Sequence, residues 1–564
     1  MAPTPSTSRL TKVGSSWQLL VDGEPYLILG AELQNSSMSS ALYMDTIWGK
    51  MVAMGVNTVL GPVTWEDIEP QEGTFDFTTL NMVLEGARIH NLRLIVLWFG
   101  SYKNGTSCYI PSWVKTDARR FPRMMIQNKN TGRPEMSNSI SIFSDECVAA
   151  DSKAFAALIT HLKEVDSQRT VIMVQVQNEV GLLGDSRDRS HTADALYKSA
   201  MPRACLDFLA QDGQPLQAQF QGSIRDLRSD LEKGLPSWDD VLGTGFYADE
   251  IFMAYYFALY VDKVTSAGKK VLDIPFFINV WQPQPSTEAV VAAGGSLPGA
   301  YPSGGAVRSV LGLWQKFAPS VDFIAPDIYT ADYAATLEAY LLGNQPLFIP
   351  EQRRDEYGAR RVWLAIGKYG ALGACPFGID SVTAEECAYT RHYKLLRSVS
   401  KHILAARQRQ AAICGFCFDE IDTPCAQGQN PVVVKLGLYE LTISRAFVLG
   451  EPGPAAGMVI QLAPERFLLL GWGFKVEWRS LSAVAGYTGI LSFLEKSVVD
   501  GSDGTLRTER VFNGDETRSG MVANMPNSVP DYGSGVVPIM IPARTMIGEV
   551  AVYTLGVDGM RIEV

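Results

Sequence analysis

Val174-Gln-Val-Gln-Asn-Glu179 alternates apolar and polar residues and then stops on an amide and a carboxylate. Period-two alternation puts Ile172, Val174 and Val176 on one face and Gln175, Gln177 and Glu179 on the other. In a parallel barrel the apolar set faces the surrounding helices, the polar set faces the interior, and the last side chain reaches the pocket mouth. Glu179 is then uppermost. Asn178 falls on the outer face, so the strand must kink or end there if Asn178 is to meet a ligand. A second stretch, Leu347-Phe-Ile-Pro-Glu351, is apolar up to its final carboxylate, and Pro350 removes a backbone donor where the ladder should break.

Working outward, strand-like runs alternate with amphipathic runs over the first 410 residues. The strands are expected at 26–32, 58–63, 93–100, 171–179, 275–281, 322–329, 346–351 and 371–378. Eight such pairs predict a (β/α)8 barrel over residues 1–411. No Gly-rich phosphate turn follows the first strand, which argues against an open doubly wound sheet. Long excursions at 101–150 and 180–247 leave the C-terminal face and are expected to build the pocket. Residues 412–564 change texture to short alternating runs such as Phe474-Lys-Val-Glu-Trp478, with turns at Asp503-Gly504 and Asn513-Gly-Asp515. This predicts an all-β, sandwich-like domain, read first as a packing or oligomerisation module and second as a carbohydrate binder.

Composition narrows the function. With 46% hydrophobic and 19% charged residues in a chain of 564, a large core is expected. A net charge of −11 argues against nucleic acid or an anionic membrane as partner. No run of 18 apolar residues and no signal-like N-terminus are visible, so a cytoplasmic protein is expected, a processed secreted form being the alternative. Eight scattered cysteines (Cys108, Cys147, Cys205, Cys375, Cys387, Cys414, Cys417, Cys425) read as reduced thiols. Cys414-Gly-Phe-Cys417 has metal or redox spacing but no second pair and no nearby histidine, so no metal site is expected. The five histidines sit in helical patterns and are read as structural.

Two strand-end glutamates suit cleavage of a glycosidic bond, which needs a proton donor and a nucleophile or base. Glu179, beside a neutral amide, suits the acid; Glu351, followed by Gln352, Arg353 and Arg354, suits the ionised nucleophile. Other strand ends offer candidate sugar contacts: Asn178, Glu32, Asn35, Trp65, Trp98, Trp281 and Tyr329. Trp98 and Trp281 are candidate platforms for sugar rings, and Tyr329 a candidate donor to the nucleophile.

Val174-Gln-Val-Gln-Asn-Glu-Val-Gly181 resembles the acid/base strand of family 35 glycoside hydrolases, chiefly β-galactosidases. Gly55-Val-Asn57 with Trp65, Ile68-Glu-Pro70 and Glu72-Gly-Thr-Phe-Asp-Phe77 resembles the second-strand region shared by families 35 and 42. Phe512-Asn-Gly-Asp-Glu516 resembles a β module appended to a bacterial and fungal subgroup. The resemblance implies a retaining mechanism without metal or organic cofactor, with Glu179 as acid/base, Asn178 near the sugar 2-hydroxyl and Glu351 as nucleophile. Gln177 stands where family 35 commonly has Glu, and Gly30-Ala-Glu-Leu-Gln-Asn-Ser36 replaces its usual His-Tyr, so the hydroxyl-reading shell is expected to differ. An exo-acting β-galactosidase acting on a carbohydrate substrate is the leading expectation. An endo-acting β-glycanase and a non-catalytic carbohydrate-binding protein are the alternatives, and homo-oligomerisation is left open.

Overall fold

The computed structural model describes residues 8–128, 130–211, 235–284, 295–341, 343–420, 431–446, 450–512, 514–528, 531, 540 and 542–562. Cys425, Asn513 and residues 212–234 of the second excursion lie outside the described residues.

The first strands form an antiparallel meander that the sequence pattern does not announce: β1 (Arg9–Val13), β2 (Ser16–Val21) and β3 (Glu24–Tyr26). Asp22 and Gly23, both with positive φ, make the tight turn between β2 and β3, the backbone that favours a twisted hairpin. The meander plugs the N-terminal end of a barrel-like sheet. Leu19 and Val21 join the interior cluster there, and Ser8 Oγ donates to the Ile172 carbonyl at 2.5 Å.

The barrel-like sheet contains β4 (Gly30–Glu32), β5 (Thr58–Thr64) and β6 (Arg93–Lys103). The first excursion then contributes a hairpin of β7 (Arg123–Gln127) and β8 (Pro134–Ile140). The sheet continues with β9 (Val171–Asn178), β10 (Phe276–Trp281) and β11 (Phe323–Asp327), giving the parallel order β4-β5-β6-β9-β10-β11. A parallel pair, β12 (Ile349–Gln352) and β13 (Ala374–Pro376), stands between its two edges. Isolated parallel bridges join Ile328 to Gln352 on one side and Ile28 to Gly373 and Glu32 to Phe377 on the other. Buried on both faces, these strands are the near-continuous apolar runs that a covered parallel sheet requires.

The interior is packed. Leu60, Ile95, Leu97, Phe99, Met173, Phe277, Phe323, Phe348 and Leu372 point inward. Phe277 stacks on Phe323 at 5.1 Å between centroids and meets Phe348 edge-on at 5.5 Å. Such pairs are worth ~0.5–1.5 kcal/mol each beyond area burial. Outward-facing Val174 and Val176 pack on the helix layer as alternation requires, but Ile172 joins the interior cluster because a register shift between β6 and β9 displaces it. Among the described residues no helix is long and apolar enough to cross a membrane.

The last barrel helix, Tyr389–Gln408, is followed by β14 (Ile413–Phe418), β15 (Val432–Leu436), β16 (Tyr439–Arg445), β17 (Ala455–Ala463), β18 (Arg466–Trp472), β19 (Phe474–Ser480), β20 (Ala485–Asp500), β21 (Thr505–Phe512), β22 (Val522–Met525) and β23 (Ile547–Gly556). They form a six-stranded sheet, β14-β17-β18-β23-β20-β21, and a four-stranded sheet, β15-β16-β19-β22. Phe416, Phe467, Leu469 and Val550 from the first meet Leu441, Ile443, Phe474 and Val476 from the second in one core.

The other face of the six-stranded sheet packs on the barrel helix Glu356–Gly367, where Gly367 and Gly415 let the two backbones approach. A Cβ on Gly415 would fall 2.1 Å from the Trp363 carbonyl. Arg360 and Arg361 of that helix both pair with Asp419, all three buried. Cys414 belongs to the sandwich core and Cys417 to the barrel-facing cluster, so the two thiols lie on opposite faces of β14.

Candidate active site

Three breaks in strand regularity assemble one site at the C-terminal ends of the strands. On β9, Gln177 has φ +64° and Glu179 φ +44°, a left-handed backbone uncommon outside glycine. The reversal at Gln177 turns its own side chain outward and brings Asn178 inward. Gln177 Nε2 donates to Asp151 Oδ2 at 2.6 Å, and its Oε1 accepts the Tyr102 N–H at 2.9 Å. On β6, Trp98 pairs with Val176 but Lys103 pairs with Asn178, so the intervening segment bulges and carries Lys103 over the interior Phe99 ring. On β12 the register shifts between Ile349 and Gln352, at Pro350, and Glu351 turns to the interior.

The resulting cluster is dense. One carboxyl oxygen from each of Glu179, Asp327 and Glu351 lies within 4.8 Å of the others. Glu351 accepts from Tyr329 Oη (2.8 Å), Asn279 Nδ2 (3.2 Å) and Asn178 Nδ2 (3.4 Å). Asn279 Nδ2 also donates to Asp327 Oδ2 at 2.8 Å, and its Oδ1 accepts the Glu179 backbone N–H at 2.9 Å. Lys103 Nζ donates to Asn178 Oδ1 at 2.9 Å, which fixes the amide with its nitrogen toward Glu351. Both oxygens of Glu32 and Oδ1 of Asp327 are buried without an N–H or hydroxyl donor. Their neighbours are carboxyls: Glu32 meets Glu351 and Asp327 meets Glu179, contacts that are hydrogen bonds once one member carries a proton.

Four carboxyls thus share a buried space with one ammonium. Burial, and then the Glu351 carboxylate, pushes Glu179 up to about 8, against the opposing pull of Lys103 and of a hydrogen bond with Asp327. Glu32 and Asp327 are driven well above the usual carboxylate range, first by burial and then by Glu351. Burial and Glu351 likewise keep the Tyr329 phenol protonated, as a donor. Such an arrangement holds a proton on one carboxyl beside an acceptor-only carboxylate, the pairing that acid-assisted displacement requires. The three clustered oxygens have the spacing of a cation site, but the chemistry of the set reads otherwise. Glu351 is committed to three N–H and O–H donors, and Lys103 already supplies the local positive charge.

Of the residues named from sequence, Glu32, Asn178, Glu179, Tyr329 and Glu351 meet in this cluster. Trp281 shares the inward parity of Phe277 and Asn279 and is half-buried at the mouth. Asn35 lies in the turn after β4, where its Oδ1 is buried without a partner.

Trp98 is not a platform. It faces the helix layer, fully buried, donating to Asp151 Oδ1 at 2.9 Å and packing on Phe155. Trp65 is likewise fully buried, donating to Glu69 Oε2 at 2.7 Å and packing edge-on against Trp113. Gln177, expected inside, faces Asp151 on the helix side.

The arginines after Glu351 do not serve it. Arg353 pairs with Asp355, and Arg354 donates to the Gly378 carbonyl at 2.9 Å. Lys103 and Asn279 are not among the residues the sequence singles out, and Asp327 stands out there only as part of the strand end Pro326-Asp-Ile-Tyr329, with no role of its own. The inward parity of Asn279 on β10 and Asp327 on β11 was a usable signal, whereas Lys103 reaches the site through a bulge.

Residues 40–203 match the glycoside hydrolase family 42 model described as "Beta-galactosidase", and residues 389–524 match a domain of unknown function, DUF5597. A β-galactosidase of Xanthomonas manihotis is 28% identical over 215 residues, covering 37% of this chain and 32% of the relative. The human β-galactosidase-1-like protein 3 is 27% identical over 203 residues, covering 34% of this chain and 27% of the relative. The chain thus spans about a third of the length of these curated relatives. A solved β-galactosidase from Bacillus circulans sp. alkalophilus aligns with a TM-score of 0.44 at 14% identity, over 67% of this chain and 57% of that one. Residues 40–203 are thus similar to the family 42 β-galactosidase domain, and residues 389–524 to a domain of unknown function.

Proposed function

We propose that the protein is a retaining, exo-acting β-galactosidase built on a closed (β/α)8 barrel. The observation that carries this reading is the approach of the Glu179 and Glu351 carboxyls to within 4.8 Å. Retaining glycosidases set their two carboxyls ~5–5.5 Å apart and inverting ones ~6.5–9.5 Å, the extra room holding a water.

Glu351, its oxygens aligned by Tyr329, Asn178 and Asn279, attacks the anomeric carbon. Glu179, protonated at neutral pH, gives its proton to the departing glycosidic oxygen. A water then enters, Glu179 takes its proton, and the bond from Glu351 to the sugar breaks. Asn178, held by Lys103, is the group assigned to the hydroxyl beside the anomeric carbon. Trp281 offers an aromatic face at the mouth. The β-galactoside specificity rests on the family match and on the activity named for its relatives.

A panel of aryl glycosides, run beside a long polysaccharide, tests sugar choice and exo action together. Turnover of the aryl β-galactoside is expected, with little chain cleavage of the polymer. Glu351→Gly is expected to lose hydrolysis and to regain turnover with azide or formate. Binding of galactosides without turnover by the unaltered protein would end the reading.

A further inference from the structure

Asp327 has no task in that mechanism, although it is 2% exposed and lies within 4.8 Å of both reacting glutamates. Its Oδ2 accepts from Asn279 Nδ2 at 2.8 Å, while its Oδ1 has no N–H or hydroxyl donor. A buried carboxylate with an empty oxygen is costly. A carboxylic acid there is not: a proton on Oδ1 removes the charge and makes that oxygen a donor. The acceptor it meets is Glu179.

We propose that Asp327 is a positioning residue that stays protonated and holds the Glu179 carboxylate by a hydrogen bond while Glu179 is without its own proton. This rests on the retaining mechanism proposed above. In the first half-reaction the Glu179 proton passes to the glycosidic oxygen as the C1–O bond breaks and the Glu351–C1 bond forms. Glu179 is then an anion in a buried site that also holds Glu32 and Asp327, with Lys103 bonded to Asn178 rather than to it. The Asp327 O–H supplies the missing donor. In the second half-reaction the water oxygen bonds C1, the Glu351–C1 bond breaks, and the water proton returns to Glu179. Asp327 keeps its proton throughout.

The groups that face this pair are consistent with that state. Glu351 from β12, Glu179 from β9 and Glu32 from β4 all weigh against charge on Asp327, in addition to its burial. Glu179 feels burial and Glu351 in one direction, and Lys103 from β6 and the Asp327 hydrogen bond in the other. Asn279 ties the two together, binding the Asp327 side chain and the Glu179 backbone with one amide.

The test compares the full-length protein with Asp327→Ala and Asp327→Asn on aryl β-galactosides of graded leaving-group quality. With a dinitrophenyl leaving group the second half-reaction limits turnover. Asp327→Ala is expected to leave kcat little changed there, and to lower it about 10- to 100-fold with a poor leaving group, where Glu179 must become an anion in the limiting first half-reaction, the loss set by one hydrogen bond to a charged group. With the poor leaving group kcat/KM should fall with it, and no burst of released phenol should appear, because the glycosyl-enzyme does not accumulate. The alkaline limb of kcat/KM should move to higher pH. Asp327→Asn, neutral and still able to donate, should recover most of kcat and needs no folding allowance, being isosteric. A raised KM with unchanged kcat on the poor leaving group, or Asp327→Asn as impaired there as Asp327→Ala, would overturn the inference. If the unaltered protein turns over galactosides and azide rescues Glu351→Gly while Asp327→Ala behaves normally, this inference alone fails. If the unaltered protein turns over none, the functional reading fails first.

Discussion

Glu179 sits in a site where burial and a neighbouring carboxylate both oppose its ionisation. Because its folded pKa, about 8, is above its unfolded value, the folded state binds more protons than the unfolded state between pH ~4.5 and ~8. Stability contributed by this group is therefore full at low pH and lost as pH rises through about 8. Glu179→Gln removes the titration while keeping the shape. It is expected to gain thermal stability over the unaltered protein at pH 9 but not at pH 5, as calorimetry at the two pH values will show. In activity the same group should set an alkaline limb near pH 8 in kcat/KM. Lys103→Met removes the opposing cation and unfixes Asn178. The alkaline limb should shift upward, and kcat/KM should fall by about 10²-fold, the size of losing one preorganised electrostatic contact.

At the scale of elements, the devices that matter are irregular. The parallel strands were legible in the sequence because strands covered on both faces must be apolar runs, and the runs at 93–100, 171–179 and 275–281 are long and unambiguous. Glu179 and Glu351 were legible because a carboxylate ending such a run has few structural uses. Lys103 was not, since period-two alternation carries no information across a bulge. Trp98 was misread for a related reason. A tryptophan near a strand end looks the same in sequence whether it faces a ligand or a helix, and only Asp151, fifty-three residues on, decides it. The β1–β3 plug was hidden because its strands are short and mostly half-exposed.

Two outcomes follow at this scale. Trp98→Phe leaves Asp151 short of one donor in a fully buried place, costing ~1–3 kcal/mol. It should lower the melting temperature while KM stays within about twofold, whereas Trp281→Ala should raise KM with little effect on melting; steady-state kinetics and thermal melts separate the two. Gln177→Ala frees the left-handed kink from its anchor. It should lower kcat about 10- to 100-fold by misplacing Asn178 and Glu179, as small displacements at a reacting centre do, with KM little changed.

At the scale of the molecule, the barrel and the β module share a face rather than a linker. Gly367 meets Gly415 backbone to backbone, and Asp419 neutralises two buried guanidinium groups from a barrel helix. Asp419→Ala leaves those charges only partly compensated, since Glu420 still pairs with Arg360. Breaking a buried ion pair from one side costs ~3–5 kcal/mol. One cooperative unfolding transition is expected for the unaltered protein, and a lowered or split transition for Asp419→Ala, by scanning calorimetry. The C-terminal module thus packs on the helix that follows β12, the strand bearing Glu351.

The most direct measurement is to trap the intermediate. The protein is incubated with an activated 2-deoxy-2-fluoro-β-galactoside, digested, and the labelled peptide is sequenced by mass spectrometry. One fluorogalactosyl group is expected, attached to Glu351. A label on Asp327 or Glu32, or an inert reagent with a protein that turns over the parent galactoside, would contradict it.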